Sequence, residues 1–397
     1  MLSRVARAPL ALAVAATLAA APACAQPVTK DSPGSALEAA LRDTLRAVLE
    51  RARADSAFPG AFAVVGNRNG VLAVHGVGAL DWKPSPRPDE HTLWDLASLT
   101  KVVGMTTAMM QLVEQGKVDL DAPAQRYLPR FTGPGKDAVR VRHLLTHSSG
   151  LPSWRAIYKE AASPEEALAL VYATPLDTAP GVRYVYSDLG AILLGQIVER
   201  VSGEALDRYL EGHVFRPLGM TETLYRPPAA LHERIAPTEV DPWRQRHLRG
   251  EVHDENAFAL GGVSGHAGLF SSGHDMARFA RMLLGGGQLG GVRVVQSATL
   301  RRFTEPQDTA VSRRGLGWET ATGDNSGGHR LSSRAFGHTG FTGTSLWVDP
   351  ERDVFIILLT NRVNPTRENR RIGAVRVRLA DAVMAALGGP ATSTRRP

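Results

Sequence analysis

A serine and a lysine three residues apart, at the head of an apolar-periodic stretch, constrain this chain more than any other feature. Ser98-Leu99-Thr100-Lys101 opens a run to about Gln115 in which Val102, Met105, Met109, Leu112 and Val113 recur at three- and four-residue intervals. That spacing predicts one buried stripe of a helix, with no proline inside it and Gly116-Lys117 as its stop. Residues three apart on a helix have Cβ atoms about 5–6 Å apart, so the Lys101 nitrogen can reach the Ser98 hydroxyl. A serine hydroxyl needs a base before it is a useful nucleophile, and a desolvated lysine tuned down to about pH 7–8 can serve. The helix N-terminus adds partial positive charge where an oxyanion would develop. Alone, the same spacing also fits a surface serine beside a solvated lysine. Composition argues against that reading, because the chain uses six lysines against forty arginines. A guanidinium stays protonated and cannot act as a base, so a lysine at this place suggests a need for deprotonation.

Residues 1–25 read as an export leader. Arg4 and Arg7 precede an apolar run from Ala8 to Ala21, and Ala23-Cys24-Ala25 offers a small-residue cleavage site. The run is too short to span a bilayer as a structural helix. Cleavage before a lipidated Cys24 is the alternative, but Ala21 stands where lipoprotein signals usually carry leucine. Cys24 is the only cysteine, so a chain cut after Ala25 has no disulfide or thiolate chemistry. The expected product is exported, periplasmic or secreted, and held together by its apolar core. The formal charge of +7 raises the question of nucleic acid. No zinc-finger spacing, RNP-like aromatic motif or long basic run accompanies it, so solvated arginines explain it better.

The expected organisation is a leader over 1–25, a linker over 26–35, a hydrolase domain over 36–390 and a disordered tail over 391–397. Leu37, Leu41, Leu45, Val48 and Leu49 mark a first helix ending near Ala57. Ala61–Gly66 and Val71–Gly76 flank Asn67-Arg68-Asn69-Gly70 and read as a hairpin. Helical patterns follow to about residue 285, clearest at Leu189–Val201, Ala205–Val214 and Asp275–Leu284. Strand patterns return at Gly315–Thr320, Ser345–Val348 and Val354–Thr360, before a closing helix over Ile372–Leu387. The fold class is therefore α/β in the α+β sense. An antiparallel sheet flanked by helices is built from both chain ends, about 36–95 and 290–390, with an all-helical insertion over about 96–289.

Two further stretches carry chemistry. Tyr184-Val185-Tyr186-Ser187-Asp188 lies in a turn-rich approach to a helix. A loop tyrosine can move protons when neighbouring cations lower its pKa, although an interface tyrosine with Asp188 as a helix cap fits the same residues. Gly337-His338-Thr339-Gly340-Phe341-Thr342-Gly343 precedes the apolar strand at Leu346. Its glycines permit close approach of a substrate backbone and free N–H groups for an oxyanion. A third stretch, His253-Asp254-Glu255-Asn256 with Gly261 to Gly268 and His266, gathers two histidines and two carboxylates. It lacks tight metal-ligand spacing and reads as a structural glycine-rich loop, so no metal site is assigned.

The three spaced motifs together resemble the serine β-lactamase and penicillin-binding-protein family, whose sites combine S-x-x-K, Y-x-N and K-T-G. The resemblance spans about residues 36–387. It extends to Gly116 through Asp121, to His143-Leu144-Leu145-Thr146-His147-Ser148-Ser149-Gly150-Leu151, and to Pro217-Leu218-Gly219-Met220. It looks like the branch of class C β-lactamases, D,D-carboxypeptidases and related esterases and amidases. The 253–268 stretch is similar to penicillin-binding protein 4B-like and muramoyl-L-alanine amidase-like members.

The resemblance implies a β-lactamase/transpeptidase-like fold and an acyl-enzyme on Ser98. Lys101 would be base or proton relay, and Tyr186 the proton shuttle to the leaving group. The Ser98 and Phe341 N–H groups would form the oxyanion hole, with Asp188, His338, Thr339 and Gly340 facing substrate. Two departures stand out: Asp188 where Asn is commoner, and His338 where β-lactamases usually carry Lys. A charged His338 holding a substrate carboxylate would make KM rise as pH climbs through its pKa. The implied activity is hydrolysis of an amide or ester without cofactor, on cell-wall peptides or muropeptides. Alternatives are a small-ester hydrolase, and a non-catalytic penicillin-binding sensor or binding module. The partners expected are small-molecule or peptidoglycan-derived substrates, with no nucleic acid and no transmembrane span.

Overall fold

The computed structural model describes residues 33–322 and 325–388, together with Met1 and Leu2. The rest of the leader, most of the linker and the 391–397 tail lie outside the described residues. The last linker residues are not linker: a helix runs Pro33–Ala54. Proline suits a first helical turn, where its missing N–H has no partner to lose. The helix buries Leu41, Leu45 and Leu49 against the closing helix Ile372–Ala386 and one face of a sheet.

That sheet has six strands in the order Glu319–Thr320, Phe336–Thr339, Ser345–Asp349, Val354–Thr360, Gly60–Gly66 and Val71–Gly78. Every neighbouring pair is antiparallel. Side chains alternate between faces along a strand. Ala61, Ala63, Val65, Ile356 and Leu358 pack toward the two terminal helices. Phe62, Val64, Phe355, Ile357 and Leu359 pack the opposite way, into the larger core built on helices Asp188–Ser202 and Gly273–Leu284. Both central strands are buried throughout, which is why they read as continuous apolar runs.

The segment expected as one α-helix from Ser98 is three pieces. A 3-10 turn covers Ala97–Leu99, a π-helical turn covers Lys101–Thr106, and α-helix follows over Thr107–Glu114. The Thr107 hydroxyl donates to the carbonyl of Val102, five residues back, at 2.9 Å. Such wide turns concentrate at functional sites. A small sheet of Trp94–Asp95, Leu269–Ser271 and Leu224–Tyr225 interrupts the expected all-helical insertion. Two- and three-residue strands are too short to show a period. Among the described residues, no helix is long and apolar enough to cross a membrane.

Candidate active site

From Thr92 through Leu112 every residue is buried except Ser98, which keeps partial exposure. The backbone immediately before it is strained: Ala97 has φ 45° without being glycine. Asp95 holds that geometry, its Oδ1 accepting from the Ala97 N–H at 2.8 Å and its Oδ2 from the His253 N–H at 2.6 Å. Burial raises the Asp95 pKa, partly offset by these two amides and by His253.

Lys101 is 1% exposed; its ammonium donates to Ser98 Oγ at 3.0 Å and to the His266 carbonyl at 3.0 Å, lies 2.6 Å from Asp188 Oδ1, and also meets the Tyr186 side chain. Burial alone would lower its pKa, but Asp188 and Tyr186 together outweigh burial and the net shift is upward. The expectation of a lysine tuned down to near neutral pH is therefore corrected. The resting site holds an ammonium that donates to Ser98.

Ser187 caps the helix Asp188–Ser202, its Oγ accepting from the Gly190 N–H. The cap is thus Ser187 rather than Asp188, and the Asp188 carboxylate is left to meet Lys101. Expected among the groups facing substrate, Asp188 instead faces the lysine. The Asp188 N–H donates to the Ser153 carbonyl at 3.0 Å. Tyr186 lies half-buried in a cage, with the Lys101 nitrogen 5.0 Å and the Arg314 guanidinium 5.8 Å from its ring centroid. The His147 ring is 4.5 Å away and the His338 ring 5.9 Å. His147 grips both flanks, its carbonyl accepting from the Val185 N–H and its Nδ1 from the Ser187 N–H.

The third motif forms the strand Phe336–Thr339 and a turn stitched to the nucleophile segment. Thr342 Oγ1 donates to the Asp95 carbonyl at 2.7 Å, and Thr344 Oγ1 to the Leu96 carbonyl at 3.0 Å. Gly340 is required here, since a Cβ would sit 2.1 Å from Thr344 Oγ1 and 2.4 Å from the Leu96 carbonyl oxygen. Phe341 projects outward, 49% exposed, and its carbonyl accepts from Arg362 Nε at 2.7 Å. Thr339 is half-buried beside it.

His338 departs from the expectation of a charged carboxylate binder. It is 3% exposed, and its Nδ1 lies 2.8 Å from the Thr339 carbonyl oxygen. Burial pushes its pKa well below the usual value, and Arg314 and Lys101 push the same way. The ring is neutral at physiological pH. Arg314, which the sequence reading missed, supplies a cation on this side of the site.

The two histidines of the 253–268 stretch do not converge. His253 Nε2 is 2.9 Å from Glu239 Oε2, while His266 bridges Ser264 Oγ and Asp254 Oδ1, each at 2.8 Å. Four aromatic rings of these segments are exposed: Trp154, Tyr184, Trp243 and Phe341. Tyr158 packs edge-on against Trp243, with ring centroids 4.6 Å apart.

The Beta-lactamase family model matches residues 45–380. An Escherichia coli K12 protein named "Putative D-alanyl-D-alanine carboxypeptidase" is 37% identical over 303 residues, 68% of this chain and 69% of that one. Among solved structures, "EstCE1, a hydrolase with promiscuous acyltransferase activity" superposes with a TM-score of 0.72 at 22% identity. It covers 88% of this chain and all of its own. A penicillin-binding protein homologue from Caulobacter crescentus gives 0.71 at 23% identity, over 88% of this chain and 97% of that one. The chain belongs to the β-lactamase family, in its β-lactamase/transpeptidase-like fold, and is a serine hydrolase.

Proposed function

We propose that this protein is an exported hydrolase of cell-wall peptides, of D,D-carboxypeptidase or amidase type, working through an acyl-enzyme on Ser98. The observation that carries the reading is the contact of Ser98 Oγ with a buried lysine already paired to a carboxylate. Ser98 Oγ attacks the carbonyl carbon, and its proton passes to the Lys101 nitrogen as that nitrogen yields one to Asp188 Oδ1. The relay conserves charge: serine loses one proton and the carboxylate gains one. As the tetrahedral intermediate collapses, the Tyr186 hydroxyl, between Lys101 and Arg314, gives its proton to the leaving amine and is reprotonated through Lys101 by the proton held on Asp188. The Ser98 and Phe341 N–H groups hold the oxyanion, supported by the turn that ties Gly340–Thr344 to Asp95 and Leu96. Deacylation runs the same path with water as nucleophile. Arg314 holds the substrate carboxylate, and Thr339 and Gly340 line the cleft with a buried, neutral His338 behind them. Names borne by relatives such as the E. coli protein support a peptide ending in D-Ala-D-Ala.

A second reading, a small-ester hydrolase with the same machinery, is favoured by the exposed rings of Trp154, Trp243 and Phe341, which suit an apolar acyl group. Incubation with D-Ala-D-Ala peptides, muropeptides and p-nitrophenyl esters, with products read by mass spectrometry, separates the two. Release of D-alanine or cleavage of the muropeptide amide supports the first reading. Turnover of esters alone replaces it with the second.

A further inference from the structure

Of the groups around Lys101, one takes no part in the reaction as drawn: the backbone carbonyl of His266, 165 residues away in sequence, at 3.0 Å. A flexible loop carbonyl could not fix an ammonium, so what fixes this one matters. His266 is 1% exposed and its ring is held at both nitrogens, by Ser264 Oγ and by Asp254 Oδ1. Asp254 Oδ1 also accepts from the Ala257 N–H at 2.7 Å, capping the short helix Glu255–Ala259. The Ser264 carbonyl accepts from the Tyr225 hydroxyl at 3.0 Å. Gly265, between them, lies so close to the helix that Asp188 opens that a Cβ would come within 2.3 Å of the Ala191 carbonyl oxygen. The loop is thus clamped on one side to the Asp188 helix and on the other to Lys101.

We propose that Asp254, His266 and Ser264 form a positioning device for Lys101, which holds the His266 carbonyl so that the ammonium, while paired to Asp188, stays pointed at Ser98. This rests on the Ser98 reading above and assigns a role to a loop which that reading leaves idle. Without that carbonyl, the buried ammonium loses one of the two hydrogen bonds that fix its direction against the pull of the carboxylate at 2.6 Å. A pivot of the Lys101 nitrogen about the Asp188 carboxylate, away from Ser98, lengthens the 3.0 Å contact with Ser98 Oγ. Misplacement by about 1 Å can cost about a hundredfold in rate.

The test uses the whole protein and a fluorophosphonate probe, with the saturating acylation rate separated from probe affinity and with Tm measured for each variant. His266→Ala and Asp254→Ala are expected to lower the saturating rate at least about tenfold with affinity unchanged. Asp254→Asn keeps an acceptor for both His266 and the Ala257 amide, and is expected to retain most of the rate. Ser264→Ala, a milder change, is expected to fall between. Equal losses in Asp254→Asn and Asp254→Ala would show that the charge and not the orientation matters, and would overturn the inference. So would a wild-type rate in His266→Ala, or losses that track the fraction unfolded. Labelling that persists in Ser98→Ala would instead overturn the Ser98 reading itself, so the two failures are distinct.

Discussion

Replacing Asp188 by Asn probes the proton relay at its acceptor. The carboxamide keeps the size of the side chain and a carbonyl oxygen for Lys101, but carries no charge and takes no proton. At 2.6 Å, and with the effective dielectric of about 20 that describes charge pairs in proteins, the lost attraction is about 6 kcal/mol. Burial, which opposes the ammonium and is now less opposed, drives the Lys101 pKa down. On the proposed relay, wild-type Ser98 is acylated near neutral pH because Asp188 takes the proton Lys101 gives up. In Asp188→Asn the lysine must be deprotonated beforehand. At pH 7 the fluorophosphonate acylation rate should therefore fall about a hundredfold, the usual worth of positioned acid–base catalysis. It should then recover as pH rises through the lysine's lowered pKa, a dependence that wild type lacks. A neutral probe keeps substrate-carboxylate binding out of the measurement. A variant with the wild-type rate at pH 7 and a flat profile would refute the relay.

Lys101→Arg preserves the charge but cannot release a proton, so activity should drop at least about a hundredfold, read by the same acylation rate. Because His338 is buried and neutral, KM for a carboxylate-bearing peptide should stay level between about pH 6 and 8. Arg314→Gln should raise that KM while sparing a matched neutral ester. Glu239 bears on stability: burial would raise its pKa, but His253 and Arg367 outweigh this and bring it from 4.5 to about 2. A depressed folded-state pKa stabilises above the unfolded value, here roughly 3 kcal/mol, and that stability is lost as pH falls from 4.5 toward 2. Glu239→Gln should cost about that much at pH 7 in urea unfolding, with the gap to wild type narrowing across that acid range.

The sheet was legible because its central strands, Gly60–Gly66 and Val354–Thr360, are buried on both faces and so appear as unbroken apolar runs. Ser98 and Lys101 were legible because three-residue spacing brings side chains together in a tight helical turn, and it did so even through a 3-10 and π-helical path. The protonation state of Lys101 was not, since it depends on Asp188, 87 positions later, meeting the ammonium at 2.6 Å. His338 was misread for a related reason. A histidine's charge follows from its surroundings, and the sequence reading did not place it in a closed pocket beside Arg314 and Lys101. Arg314 itself had no local signal in a chain with forty arginines. His147 stood in a family-like phrase, but its grip on Val185 and Ser187 is a tertiary contact across about forty residues.

The claim on which the rest depends is that Ser98 is the nucleophile. Intact-protein and peptide mass spectrometry after brief exposure to a fluorophosphonate or a fluorescent penicillin tests it directly. One covalent adduct should appear, on the peptide that contains Ser98, and Ser98→Ala should abolish both the adduct and hydrolysis. An adduct on another serine, with hydrolysis intact in Ser98→Ala, would contradict the account.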